Sequence, residues 1–427
     1  MAPASVKFSG PRMTLLASIA TNASVGLTIG GYSISVLAIA QEFHASLTLA
    51  SLGISLVVLA LSVCPPLVVK LQNRFSIRNT MVAGAIIAAA GYLALSVVPS
   101  IWALLAIYAL VIGPATVMFG TFAASVLVSN WYVEGRGRVL GIVSMPVMIM
   151  LAPLAAAPIL SAHGLRTLFL VLAAAHVLLI PMLLPVIDRP AQVGQRPYGA
   201  GDDETALASK GVVLSLGDLF RRADFWLLLI ANGLLSGSGM AKVSHLASIA
   251  AEQGCTLDQA ALLMSISGGA GIVGAFAFGW LADRLGGAAT LLLNAGLQVA
   301  TWSILLLHPH MALLILDGFI MGACGAGVYA LVAVVCSQLY GSGNVGRSLS
   351  IVNACGTPIL FLIPPIMGAI HDATGGYATA ILVLMAICAV AGTMFALVVR
   401  GELGMRRAAI GSDSNLSPEV VAPPPQV

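Results

Sequence analysis

The residues able to do chemistry in this chain are few, and they stand inside long apolar stretches. Lys242 has Ser238 four residues before it and His245 three after, a spacing that places an amine, a hydroxyl and an imidazole on one helical face. A charge within hydrocarbon is expensive, so an intramembrane lysine faces a cavity and serves a ligand or partner, or else it snorkels to the interface. At 1.5 Å per residue Lys242 lies about 12 Å from the end of its stretch, which keeps both readings open. Asp317 is the acid that falls inside another stretch, about 9 Å from its start and so at a similar depth. The expected arrangement is an approach of Asp317 to Lys242 as a pair that substrate or proton can break, with a static counter-ion as the alternative. His245 or Asp317 would carry a coupled proton, and Lys242 would supply positive charge to an anion.

Uncharged polar residues add a second layer. Thr21, Ser24, Thr28, Tyr32 and Ser35 fall within a sector of about 80° on an otherwise apolar rod. Such a stripe faces water or substrate, or its hydroxyls bond carbonyls one turn back. Tyr32 is the expected substrate contact, with Thr28 beside it. Ser350, Asn353 and Thr357 share another face just before Pro358, and Asn353 and Thr357 suit the bonding of a bound anion. Asn22 and Asn232 lie off the best faces.

These residues must be positioned by membrane helices. Of 427 residues 59% are apolar and 8% charged, against roughly 25% charged in a soluble domain. Apolar runs predict spans near 14–38, 48–70, 80–99, 101–128, 138–160, 167–187, 225–250, 258–281, 288–307, 311–338, 348–370 and 377–400. The expectation is an all-α membrane protein of twelve transmembrane helices. Residues 1–187 would form one six-helix bundle, 188–224 a solvated linker, 225–400 a second bundle and 401–427 a disordered tail. The apolar segment after Lys7 and Arg12 lacks a small-residue cleavage site and reads as a retained first helix.

With both termini inside, every Lys and Arg except Arg166 and Lys242 falls on the cytoplasmic side, whereas Glu42, Glu252, Asp258 and Asp372 fall outside. The positive-inside rule then predicts a multi-pass protein of the cell (inner) membrane with cytoplasmic termini. The halves also repeat. Gly137-Arg138-Val139-Leu140-Gly141-Ile142-Val143 matches Gly346-Arg347-Ser348-Leu349-Ser350-Ile351-Val352 at an offset of 209, and Asn73-Arg74 matches Asp283-Arg284 at 210. Two pseudo-symmetric bundles place a substrate site near the midplane between them.

Gly279-Trp280-Leu281-Ala282-Asp283-Arg284-Leu285-Gly286 resembles the loop motif of the major facilitator superfamily, between the eighth and ninth spans. Its first-half counterpart keeps Arg74 and Arg78 but has Asn73 and Ser76 where the family has an acid and a glycine. Tyr32 to Val36, Trp131-Tyr132 with Arg136-Gly137, His245-Leu246, and Gly368 with Asp372, Gly375 and Tyr377 resemble the monocarboxylate and oxalate/formate branch. The resemblance covers essentially Arg12 to Arg400. It implies the two-bundle fold, a conformational role for Gly279, Asp283, Arg284, Gly286, Arg74, Arg78 and Arg136, and a substrate-facing aromatic at Tyr329. The branch commonly sets a cationic side chain of the eighth or eleventh span against the carboxylate. Neither span carries one here.

Gly341-Ser342-Gly343-Asn344-Val345-Gly346 follows a membrane helix rather than a strand, so it is no nucleotide site, and there is no P-loop, HExxH or CxxC. No enzyme chemistry, metal or organic cofactor is expected. A net charge of +3 implies no nucleic acid. The expected function is secondary transport of a small organic anion, a carboxylate, by alternating access with proton symport, the protein working in the bilayer as a monomer. A transporter of a neutral or amphipathic solute is the alternative, and a transporter-like sensor a minor one.

Overall fold

The computed structural model describes residues 8–134, 136–199, 215–307, 309–341 and 344–413; within these, the side chains of 136–138, 329–330, 346–347 and 402–413 lie outside the description. The described residues are helical and contain no strand, with one isolated bridge between Tyr132 and Tyr198.

The first half comprises α1 (Gly10–Glu42), α2 (Leu47–Val63 with Pro65–Phe75), α3 (Ile77–Leu95) and α4 (Ile101–Trp131). The next run, Val139–Leu183, is long enough for two spans and divides at Gly164, whose φ of 76° and ψ of −179° no helix accepts. It gives α5 (139–163) and α6 (165–183). The second half comprises α7 (Ala223–Glu252), α8 (Leu257–Leu285), α9 (Gly287–Leu305), α10 (Met311–Tyr340), α11 (Val345–Thr374) and α12 (Tyr377–Asp413). Ten runs are long and apolar enough to cross a membrane, eleven once the bent α2 is counted as one span, and division of Val139–Leu183 at Gly164 makes twelve segments among the described residues.

Two spans are broken by proline, the fifth where Pro146 leads one to expect a kink. In α2 the halves meet at 57° beside Cys64, because Pro65 and Pro66 lack N–H donors and their rings crowd the preceding turn. The α5 span is interrupted at Met145-Pro146 for the same reason. The tail expected from Gly401 begins as helix: α12 continues to Asp413, no proline standing before Pro418 to stop it. Residues 414–427 and 200–214, which belong to the expected tail and linker, lie outside the description.

The start of α1 and the end of α12 lie on one side of the molecule, here termed the termini face, and the loops 43–46, 253–256 and 375–376 lie on the far face. Close packing within the second bundle rests on small residues. A Cβ at Gly322 would run into the carbonyl of Ser267, and one at Gly274 into the backbone of Ala323, so α8 and α10 touch backbone to backbone. The bundles meet in their far halves. There α2 packs on α11, the later part of α1 on α7, and α5 on α8, where the Ser265 hydroxyl donates to the Met150 carbonyl at 2.5 Å.

The helix contacts predict a contrast measurable by fluorescence-detected size-exclusion chromatography after heating. Gly322→Val removes most of the folded protein, whereas Gly325→Ala, whose Cβ would meet nothing within 4 Å, leaves the melting temperature unchanged.

Candidate functional site

Lys242 and Asp317 are joined. The Lys242 ammonium donates to Asp317 Oδ1 at 2.6 Å, with the two side chains 2% and 0% exposed. The other carboxylate oxygen, Oδ2, is buried without a hydrogen-bond partner. The amine also sits over the Trp302 ring, 4.8 Å from its centroid. The Trp302 indole donates to Ser238 Oγ at 2.8 Å, and the Cys388 thiol approaches the same oxygen at 3.1 Å. Behind them Gln298 donates to Asn294 at 3.1 Å, and Asn294 to the Cys324 carbonyl at 3.0 Å. Asn294, Gln298 and Trp302 stand four residues apart on α9, a row readable in the sequence that the reading above passed over. The pair therefore lies inside the second bundle, enclosed by α7, α9, α10 and α12. It does not open onto the space between bundles in this state.

The first bundle holds its counterpart at the repeat offset. Tyr32, Tyr92 and Tyr108 precede Lys242, Trp302 and Asp317 by 210, 210 and 209 residues. Tyr32 meets Tyr108 edge-on at 4.7 Å, Tyr92 meets Tyr108 at 6.3 Å, and Tyr92 stacks on His176 at 5.0 Å. The Tyr32 hydroxyl donates to the Ala50 carbonyl at 2.6 Å. Thr28 is buried near Tyr92. The α1 stripe thus faces the interior of its own bundle, and Tyr32 and Thr28 are removed from the interbundle space here. Ser24 and Ser35 bond carbonyls within the helix.

His245 is fully buried, and its ring ties three helices together. Nε2 donates to the Pro364 carbonyl of α11 at 3.0 Å, and Nδ1 accepts from the Tyr377 hydroxyl of α12 at 3.0 Å. With one nitrogen donating and the other accepting, the neutral imidazole is satisfied in place.

Between the bundles lies a cavity of about 180 Å³, near the middle of the helices. Its polar lining is Ser62 of α2, Asn232 and Ser236 of α7, and Asn353 and Thr357 of α11, with Val58, Leu61 and Leu360 as apolar wall. Ser62 and Thr357 share a hydrogen bond of 2.7 Å. Asn232 donates to Asn353 over a long 3.5 Å, and Ser236 to Asn232 over 3.3 Å. Loose amide contacts of this kind can be exchanged for a ligand at little cost. Asn353 and Thr357 thus stand together at the bundle interface, whereas Ser62 and Ser236 were missed because nothing in an all-apolar helix marks which serine faces a neighbour. A larger hollow of about 270 Å³ between α9 and α12 has an apolar lining relieved by Cys388 and Thr393, and gives a solute little polar grip.

The remaining residues lie on the termini face. Arg284 stacks over the Trp280 ring at 3.9 Å, Asp283 is exposed beside it, and Gly286 adopts φ 88°. Ser76 repeats that backbone at φ 83°. Gly279 has open space around it. Arg74 lies over Phe75 at 5.2 Å, and the Arg78 amide donates to Asp188 at 2.9 Å. The side chains of Arg136 and Tyr329 lie outside the description.

A family model described as Major Facilitator Superfamily matches residues 16–311 and 243–420. An uncharacterized MFS-type transporter, YcxA of Bacillus subtilis (strain 168), is 24% identical over 376 residues, which cover 83% of this chain and 86% of that protein. Human monocarboxylate transporter 12 is 27% identical over 164 residues, or 38% of this chain and 32% of its own length. Among solved structures, a bacterial homolog of the human lysosomal transporter Spinster, inward-facing and unoccupied, superposes with a TM-score of 0.73 at 15% identity, covering 94% of this chain and 99% of that one. A nucleoside transporter, NupG, gives 0.69 at 14% identity over 91% and 98% of the two chains. A D-xylose-proton symporter gives 0.68 at 14% identity over 90% and 96%.

The burial of the ion pair sets a stability test. Lys242→Met or Asp317→Leu alone leaves one uncompensated charge and costs about 3–5 kcal/mol, whereas the double substitution recovers most of the loss. Thermal unfolding of the purified protein reads this, and a double variant as unstable as the single ones would contradict it.

Proposed function

The chain belongs to the Major Facilitator Superfamily, and we propose that this transporter moves a small organic anion, a carboxylate, by alternating access in symport with protons. The observation that carries the reading is the Lys242–Asp317 pair, dry, neutral as a unit, and carried on two of the helices of the bundle that lines the cavity. A proton arriving at Asp317, with Oδ2 as the free acceptor, cancels the carboxylate and leaves Lys242 uncompensated in a low-dielectric interior. An arriving substrate carboxylate restores neutrality. Proton and anion are thereby favoured together and each is disfavoured alone. The step requires the Lys242 stem to leave Asp317 and turn around α7 toward the cavity, where Asn232, Ser236, Asn353, Thr357 and Ser62 hold the solute. Tyr32 and Thr28 support the first bundle from within, and His245, with both nitrogens engaged, holds α7 against α11 and α12. The similarity to a monocarboxylate transporter supports the substrate class, and the shared fold of a proton symporter supports the coupling.

We place the termini face at the cytoplasm of the cell (inner) membrane, since the described basic side chains outside the spans, such as Arg74, Arg78, Arg189, Arg221, Arg222 and Arg284, fall on it, with Arg166 on the far face. In that orientation the far face is external. The loop residues Gly279, Asp283, Arg284, Gly286, Arg74, Arg78 and Arg136 then line the cytoplasmic rim, where they act on the closing of that side. The protein is proposed to work as a monomer in the bilayer.

A second reading rests on one specific observation: among the described residues the cavity lining carries no charged side chain. An uncharged cavity suits a neutral solute held by amides and hydroxyls, and a nucleoside transporter shares the fold.

Purified protein in proteoliposomes under an inward proton gradient, offered short monocarboxylates, dicarboxylates, aromatic acids and neutral solutes, separates the two. Current and internal pH are recorded together, because electroneutral symport moves no net charge. Saturable, acid-driven uptake of carboxylates is the expected result. Signals from neutral solutes alone sustain the second reading instead. Asp317→Asn is expected to abolish gradient-driven accumulation while exchange of labelled for unlabelled solute continues. Asn353→Ala raises the half-saturation concentration about tenfold, the loss of one good hydrogen bond, with the unfolding midpoint unchanged.

A further inference from the structure

Asp372 belongs to the second bundle and bonds the first. It stands in the last turn of α11 on the far face, and its partners are the opening residues of α2. Oδ1 accepts from the Leu47 amide at 3.2 Å; Oδ2 accepts from the Thr48 amide at 3.0 Å and from the Thr48 hydroxyl at 2.6 Å. We propose that Asp372 is the latch of the far-face gate, a positioning residue for alternating access whose hold on the N-terminus of α2 is released each time the path opens on that side. The inference rests on the alternating-access part of the transport reading and on no particular substrate.

The sequence explains why α2 needs an outside carboxylate. A helix start leaves four amides without partners inside the helix. Ser46 is the N-cap, and its hydroxyl satisfies the Leu49 amide at 3.3 Å. The cap reaches only the third helical amide, so the amides of the first two helical residues, Leu47 and Thr48, remain open donors. The equivalent start in the second bundle is α8, 210 residues on. There Thr256 and Gln259 form a capping box within the helix, each side chain satisfying the other's amide. The described contacts of α8 at that turn come from its own residues. Among the described residues, α2 is thus the one of these two related helix starts whose first amides are bonded from the opposite bundle.

Two further features fit a latch. Gly368, one turn before Asp372, lies against the same turn of α2, where a Cβ would come within 2.7 Å of the Thr48 nitrogen and 2.9 Å of the Leu47 carbonyl carbon. The bare backbone is what lets α11 come close enough for the carboxylate to reach. Asp372 also remains 29% exposed, so water can replace the amides when the bundles part, and the bond is reversible in a way that a dry ion pair is not. A full negative charge at a helix N-terminus makes these bonds charge-assisted while they last. Around it, His371 lies 3.8 Å from Oδ1, the Glu252 carboxylate 3.6 Å from the other His371 nitrogen, and the Tyr377 ring 4.4 Å from the imidazole.

The test uses the full-length protein in sealed vesicles and needs no substrate. Ser51 is buried one turn inside the latch, with its hydroxyl facing the Pro364 carbonyl at 3.5 Å, so Ser51→Cys reports opening. A membrane-impermeant maleimide is added on the far face, and labelling by the native cysteines is subtracted using the chain without the reporter. With the latch intact labelling is slow. Asp372→Asn is expected to speed it about tenfold, Thr48→Val less, and the double variant no more than Asp372→Asn, since both remove one contact. The unfolding midpoint stays within a degree or two of the parent, which separates a gate from a structural prop. Unchanged labelling in a folded Asp372→Asn overturns the proposal. If that variant fails to fold, Thr48→Val decides, because removing one exposed hydroxyl spares the fold, and unchanged labelling there overturns the proposal equally. Failure of carboxylate uptake with labelling still controlled by Asp372 would instead count against the substrate reading and leave the latch in place.

Discussion

A charge buried in an apolar bundle must be neutralised where it stands, and that constraint organises the second half of this molecule. Lys242 and Asp317 sit where the first bundle has Tyr32 and Tyr108. Two tyrosines fill such a site with ring contacts and a hydroxyl directed at a carbonyl, at no electrostatic cost. An ammonium and a carboxylate fill it only as a pair, with an indole over the amine and a serine beneath the indole. One duplicated scaffold therefore holds an uncharged aromatic core in one copy and an ion-paired core in the other. The asymmetry between the copies, more than either cluster alone, is why the proposed coupling role falls to the second bundle.

Much of this was legible in the residues. Twelve apolar runs, a repeat offset of 209 to 210 and the depth-matched Lys242 and Asp317 gave the bundles and the pair, because span length and the cost of a lone charge leave few alternatives. What stayed hidden concerned direction. The α1 stripe from Thr21 to Ser35 is a polar face on an apolar rod, and the same pattern serves a helix that faces water and one whose hydroxyls are used up inside a bundle. The structure turns it inward. Ser62 and Ser236 reach the cavity through the packing of α2 against α11 and α7, which no single helix records. The expected span 48–70 runs straight through Pro65 and Pro66, where α2 bends by 57°.

The Asn294, Gln298 and Trp302 row was equally legible, as polar residues four apart on one helix face. The charges of the pair come from α7 and α10, whereas Trp302 of α9 and Cys388 of α12 stand around it. In a membrane interior the uncharged polar residues around an ion pair decide which way it faces.

Two carboxylates of one bundle thus serve under opposite conditions. Asp317 is dry and matched by a single amine, so a change in its charge is felt strongly but occurs seldom. Asp372 is wet and matched by backbone amides, so its bonds are individually modest and readily exchanged with water. A carrier needs both kinds. If the gate were locked by a dry pair, each cycle would have to expose an unpaired charge to hydrocarbon; if coupling were left to a wet carboxylate, its proton would exchange with bulk water without regard to the solute. In the proposed cycle the dry carboxylate inside the bundle responds to the proton and the wet one across the bundle interface yields to the motion. At the start of α2 the Ser46 cap takes up the Leu49 amide and leaves those of Leu47 and Thr48 to a carboxylate from the other bundle.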